Sequence, residues 1–223
     1  MIYETGLFSI FIQMVVNVVE IWGLSMTVAP EDEILRDILK VEVAVEFIEL
    51  AFYIVLILFF NQLTGMITPY RYIDWSFTTP LMLITLMAYM RGSTGRLTDF
   101  LSNNVGSIVT VCGLNALMLL SGFLGEIGMA PILVTTALGF IPFATYFGYI
   151  YENFVPAEDV DYKRTLFFWF VGFWMLYGLF ALFSYTAKNV SYNILDLFAK
   201  NFFGVFLSVI IWTRSIPDVS VLT

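Results

Sequence analysis

Arg71, Asp74, Asp196 and Lys200 all lie inside stretches that are otherwise apolar enough to cross a lipid bilayer, and no other feature constrains the fold as tightly. An ionisable side chain at membrane depth is costly unless it turns inward and finds a partner, so such residues mark functional positions. Of the 223 residues, 60% are hydrophobic and only 13% charged, proportions that exclude an ordinary soluble domain. A spanning helix needs about 20 apolar residues, and roughly 30 residues per helix with its loop divides the chain into about seven crossings. The expected architecture is an all-α membrane protein, a single bundle of seven transmembrane helices over residues 1–223.

With glycine, proline and charge as punctuation, helices are expected near residues 5–28, 33–60, 69–90, 97–123, 128–152, 161–184 and 188–213. Ala29-Pro-Glu-Asp, Arg91-Gly-Ser-Thr-Gly and Val155-Pro-Ala-Glu-Asp read as polar turns. The first apolar run has no basic segment before it and no small-residue cleavage site, so it is expected to be a first span, with the mature chain starting near Met1. Arg36, Lys40, Arg91, Arg96, Lys163, Arg164 and Arg214 then fall at one membrane face and only Lys188 at the other. The positive-inside tendency puts the N-terminus outside and the C-terminus in the cytoplasm. Cys112 is alone and histidine is absent, which removes disulfides and ordinary zinc or haem sites. A net charge of −8 argues against nucleic acid as a partner and leaves the bilayer as the expected surroundings.

The third span contains Arg71-Tyr-Ile-Asp74-Trp75-Ser-Phe-Thr78-Thr79-Pro80-Leu81. Helical spacing puts Arg71, Asp74 and Thr78 on one face, where Thr78 is expected to hydrogen-bond the Asp74 carboxylate. In the seventh span Asp196 and Lys200 are four apart, again on one face, and if the two faces meet the four charges sum to zero. A lysine ammonium at that depth is costly, whereas a Schiff base with a conjugated aldehyde makes use of the cation between two carboxylates. A chromophore is the natural use of such a site.

These two segments resemble the microbial (type 1) rhodopsins, whose third helix carries Arg-Tyr-x-Asp-Trp-x-x-Thr-Thr-Pro-Leu and whose seventh carries Asp-x-x-x-Lys. The resemblance spans essentially the whole chain, and the short loops are most similar to the compact rhodopsins of large algal viruses. It implies that Lys200 binds all-trans retinal as a protonated Schiff base, that Asp74 is the primary counterion and proton acceptor, and that Asp196 and Arg71 complete the counterion complex. It also implies that Trp75, Thr79 and Met82 line the retinal, with Met118 and Gly122 of the fourth span near its ring end and Asn115 bonded to Thr79. In the sixth span Trp174 and Tyr177 match Trp-x-x-Tyr-Pro except that Gly178 stands for proline, and Trp169 is the competing choice. Met82 in place of a glutamine leans toward green absorption, by family analogy.

The departures bear on mechanism. Thr85 stands where proton-pumping relatives carry an acid that returns a proton to the Schiff base. Glu42, Glu46 and Glu49 form a stripe on one face of the second span, and a buried glutamate can hold a proton at neutral pH because desolvation disfavours its charged form. Glu42 is therefore the expected substitute donor, unless the stripe faces water or a neighbouring subunit, and Glu46 or Glu49 alternatively lines an ion path. The link before the seventh span, Tyr185-Thr-Ala-Lys188-Asn-Val-Ser, lacks the glutamates that some pumps use for proton release. Arg36 would form an intersubunit ring in a homo-oligomer, or else is a solvated interfacial arginine.

The resemblance thus implies a photoreceptor rather than an enzyme. Its expected activity is light-driven ion transport, of protons first and of another cation next. A light-gated cation channel through the glutamate stripe and a sensor read by a partner protein remain as alternatives.

Overall fold

A computed structural model describes residues 1–92 and 95–216. Ser93 and Thr94 of the expected turn after the third span lie outside the described residues. The first span is α1 (Ile2–Leu24), the second α2 (Glu33–Leu58) with the single turn α3 (Phe60–Leu63) beyond it, and the third α4 (Ile67–Arg91). The fourth is α5 (Leu97–Asn103) followed by α6 (Val105–Glu126), the fifth α7 (Ile132–Phe154) and the sixth α8 (Lys163–Phe180). The seventh is α9 (Tyr185–Asp196), a π-helical turn over Leu197–Asn201, and α10 (Phe202–Arg214). Each span packs on the next in chain order, and α1 closes the ring against α9 and α10. The result is the seven-helix bundle expected from the apolar runs.

Four of these rods, α1, α6, α7 and Tyr185–Arg214, are long and apolar enough to cross a membrane on that measure alone. The other three carry more charge: Glu42, Glu46 and Glu49 in the second, Arg71 and Asp74 in the third, Lys163 and Arg164 in the sixth. They span as members of the bundle, with those charges turned inward or held at its end.

The first helix is patterned inside out. In α1 the buried positions include Gly6, Ser9, Gln13, Asn17, Glu20 and Gly23, while Phe8, Phe11, Val15, Val18, Ile21 and Trp22 are exposed. Lipid tails are as apolar as leucine, so no hydrophobic gain drives helices together. In α1 small and polar residues take the interface, and large apolar ones face the tails.

Several boundaries shift for local reasons. The first span stops at Leu24, four residues short of expectation, because Pro30 holds Ala29 extended and Val28 bridges to Ser215 instead. The fourth breaks at Asn104, whose side chain donates to the Phe100 carbonyl at 2.8 Å and so competes with the helical ladder. Gly92, at φ 62°, closes α4 in the left-handed conformation that glycine adopts without strain.

At one end of the bundle the connections are tied by ion pairs: Arg214 reaches both Asp32 and Asp161 at 2.6 Å, and Arg96 reaches Asp37 at 2.6 Å. Arg36 bonds Glu33 and the Leu24 carbonyl within its own chain. Entry into α8 is held by Asp159, whose carboxylate accepts the Arg164 amide at 2.7 Å, the Thr165 amide at 3.2 Å and the Thr165 hydroxyl at 2.5 Å. The hydroxyl bond, with the two amides, holds this carboxyl below its usual range. A depressed folded-state value contributes stability above the unfolded value of about 4 and loses it as pH falls through the folded one. Amide protection factors at Arg164 and Thr165 should therefore fall below about pH 4, and an Asp159→Asn variant should show no such step.

Candidate functional site

The third and seventh spans meet at a charge cluster. Lys200 Nζ donates to Asp74 Oδ2 at 2.6 Å and lies 3.9 Å from both Asp196 Oδ1 and Glu49 Oε2. Arg71, with 1% side-chain exposure, reaches Asp196 Oδ2 at 3.3 Å and also bonds Asn189 and Asn193. Its guanidinium lies 5.6–5.7 Å from the ring centroids of Phe52, Tyr53 and Tyr192, an arrangement attractive for a desolvated cation. The two aspartates differ sharply in surroundings. Asp196 is saturated, taking the Tyr53 and Tyr177 hydroxyls at 2.6 Å each besides Arg71. Asp74 accepts only from Lys200, and its Oδ1 has no partner.

Two expectations change here. Thr78 donates to the Asp74 backbone carbonyl at 3.0 Å, not to its carboxylate, because a threonine hydroxyl within a helix reaches the carbonyl one turn back. The cluster also does not close at four charges, since Glu49 of α2 joins it, held by Gln13 Nε2 at 3.2 Å. Lys200 itself lies in the π-helical turn, an interruption of a helix often found at functional sites.

Lys200 forms one end of a mostly apolar cavity with about 790 Å³ of empty space, counting its mouth. Trp75, Thr79, Met82, Met118, Gly122, Trp174 and Tyr177 all line it. Trp169 does not; it stacks on Phe202 and donates to the Phe198 carbonyl at 3.2 Å. Asn115 donates to Thr79 at 2.8 Å across the third and fourth spans. Two glycines shape the wall. A β-carbon at Gly178 would lie 2.6 Å from the Phe140 ring, and one at Gly122 would meet the Tyr72 ring at 3.2 Å. Glycine at 178, where the Trp-x-x-Tyr-Pro pattern has proline, thus lets the fifth span approach.

Toward the end carrying Arg96 and Arg214, the stripe of α2 faces the bundle interior: Glu42, Glu46 and Glu49 are at most 1% exposed. Glu42 shares a hydrogen bond with Thr85, and Glu46 accepts from Asn201. The Thr85 hydroxyl also lies 2.9 Å from the Met82 carbonyl of its own helix. It has one proton, so when that proton goes to Met82 the bond with Glu42 requires a proton on Glu42.

At the opposite end Lys188 bonds Glu126 at 2.6 and 2.8 Å. The link before the seventh span is thus paired with an acid from the end of the fourth. Tyr53, Asn189, Asn193, Gln13 and Asn201 were not singled out as site residues from sequence, because each pattern involves two or more distant spans. The available signal was a polar residue in an apolar run, as in Gln13-Met-Val-Val-Asn17. Removing Arg71 leaves the buried Asp196 with two phenols and a Lys200 ammonium that is 3.9 Å away and already bonded to Asp74, so Arg71→Ala should destabilise the chain by about 3–5 kcal/mol, read as the shift of its denaturation midpoint in detergent micelles.

Comparison with known proteins gives a consistent picture. A family model described as bacteriorhodopsin-like protein matches residues 3–214. The blue-light absorbing proteorhodopsin of Gamma-proteobacterium Hot 75m4 is 27% identical over 178 residues, which cover 69% of this chain and 63% of that protein's length. The crystal structure of the viral rhodopsin OLPVRII aligns with a TM-score of 0.82 at 26% identity, covering 95% of this chain and 98% of the other. A blue light-absorbing proteorhodopsin from Med12 aligns at 0.74 with 20% identity, over 95% and 97% of the two chains, a likeness of fold.

Proposed function

The chain belongs to the bacteriorhodopsin-like family, the microbial rhodopsins, whose chromophore is retinal, and from that membership we propose that it moves protons outward across the membrane under light, using Lys200, Asp74 and Glu42. The observation that carries the reading is the 2.6 Å contact between Lys200 Nζ and Asp74 Oδ2 at the end of an apolar, aromatic-lined cavity. The cavity suits a rod-like polyene: Trp75 and Trp174 supply flat walls, Gly122 and Gly178 keep space that a β-carbon would fill, and Asp74 Oδ1 is left free beside the nitrogen. Bound as all-trans retinal through a protonated Schiff base, the group supplies light absorption and an isomerisation that re-aims the N–H bond.

The remaining steps belong to the protein. In the dark Asp74 and Asp196 balance the positive charges of Lys200 Nζ and Arg71, with Glu49 nearby as a third acidic group. Asp196 already takes three donors, so Asp74, with an open oxygen, is the group able to accept the proton from Nζ. That transfer neutralises the Lys200–Asp74 pair and leaves Arg71 and Asp196 as the remaining ion pair between them and the end of the bundle bearing Glu126. Glu42 then returns a proton to Nζ from the other side, and Thr85, which occupies the usual donor's position, positions the Glu42 carboxyl. The basic residues at the Glu42 end, against the single Lys188 at the other, support a cytoplasmic C-terminus.

A light-gated cation channel is the second reading, favoured by unpartnered oxygens on Gln13, Asn17, Glu20, Glu49 and Asn201 at interfaces of the first, second and seventh spans. Voltage-clamped photocurrent decides between the two: a current outward at every voltage fits the pump, and one that reverses with the ion gradient fits the channel.

Variants test the roles separately. Lys200→Ala should lose both the visible absorption band and covalent retention of retinal after borohydride reduction. Asp74→Asn should keep the pigment but abolish light-driven deprotonation of Nζ, seen as loss of the blue-shifted transient in flash photolysis. Glu42→Gln should slow recovery of the protonated pigment about 100-fold, with external azide restoring the rate; an unchanged recovery rate would remove the donor assignment.

A further inference from the structure

The first span carries a buried acid that the scheme above leaves unused. Glu20 has 0% exposure, and neither carboxylate oxygen has a hydrogen-bond partner. It sits in a niche made by Gly204, four residues beyond Lys200: a β-carbon at 204 would lie 3.1 Å from Glu20 Cγ and 2.5 Å from its Cδ. The charged neighbours that act on it are Glu46 and Glu42, both acidic. Ionised, Glu20 would have given up its hydration for no donor at all, beside two further carboxyls. Neutral, it has one hydroxyl to place, and the buried Asn17, three residues earlier on the same helix, presents an unpartnered Oδ1.

We propose that Glu20 is a second proton-carrying acid, neutral in the dark, that refills Glu42 after Glu42 has given its proton to Lys200 Nζ. The O–H bond of Glu20 breaks as a new one forms on the Glu42 carboxylate, leaving Glu20 ionised until a proton from the cytoplasm restores it. Gly204 is what makes room for this store, so the seventh span both bears the reactive nitrogen and shapes the niche of the acid that supplies it. The relay rests on the reading of Lys200 and Glu42 above, whereas the protonation state of Glu20 does not.

The test therefore has two parts, and both use the full-length chain in nanodiscs. In the retinal-free protein at neutral pH, the infrared difference between the native chain and Glu20→Gln should show the loss of one protonated-carboxyl C=O band, shifted by deuterium. A lost carboxylate band instead would mean an ionised Glu20 held by water or a cation, and would overturn the proposal whatever the role of Lys200. Gly204→Ala, which pushes on the carboxyl without deleting it, should move the band rather than remove it; no movement would place Glu20 outside the niche. In the retinal-loaded protein, Glu20→Gln should leave proton transfer to Asp74 unchanged and slow the re-protonation of Glu42, followed through its own infrared band, about 10-fold. An unchanged rate, with the protonated band confirmed, would overturn the relay.

Discussion

The contact between Lys200 and Asp74 is the constraint on which the rest of the structure depends. Two unit charges 2.6 Å apart in a poorly screening interior attract strongly, but each has lost its hydration to be there, and the pair persists only inside a ring that keeps lipid away. The inward faces of five spans follow from that requirement. Tyr53 of the second, Arg71 of the third, Tyr177 of the sixth, and Asn189, Asn193 and Asp196 of the seventh form a connected set of hydrogen bonds, and Thr5 and Ser9 of the first reach the same Asn193. Such a network has value only when nearly every member is satisfied. The oxygens that are left open are therefore informative.

Those open oxygens are not spread evenly. Around Asp196 every acceptor is used, which fixes Arg71 and makes Asp196 a rigid counter-charge. Asp74 Oδ1 and Glu49 Oε2, both beside Lys200, have no donor, and Gln13, Asn17, Glu20 and Asn201 continue the same deficit along the first and seventh spans. Buried oxygens left without a donor are suited to taking up protons, water or cations. This asymmetry separates a fixed half of the site from a half that can change its protonation.

Close approach of helices is arranged by glycine where function needs shape. Gly178 admits Phe140 to the cavity wall, Gly122 admits Tyr72, and Gly204 admits Glu20. Each trades a side chain's packing for room beside a neighbouring group, a use of glycine that membrane interfaces permit because lipid offers no competing hydrophobic gain. The π-helical turn at Lys200 serves a similar end, since it interrupts the regular ladder between Asp196 and α10.

Much of the fold was legible in the sequence. Seven apolar runs, polar punctuation and four charges at membrane depth were enough for a bundle with its site between the third and seventh spans, because bilayer thickness sets helix length and the cost of buried charge sets which faces turn inward. The residues that line the cavity could be named because the third-span motif and the matching segments of the fourth and sixth spans resemble those of the microbial rhodopsins, and the resemblance implies their places. What no single helix encodes is which of its polar residues meets which on another. Glu49 joining Lys200, Glu42 finding Thr85, Glu126 answering Lys188 and Glu20 settling against Gly204 each depend on the rotation and depth of two spans at once. Hydropathy is indifferent to both. The sequence by itself therefore determined the number of spans and the chemistry of the reactive faces, whereas the tertiary structure alone decided the pairings across them, because hydrogen bonds act over about 3 Å and only the packed ring brings residues from different helices within that reach.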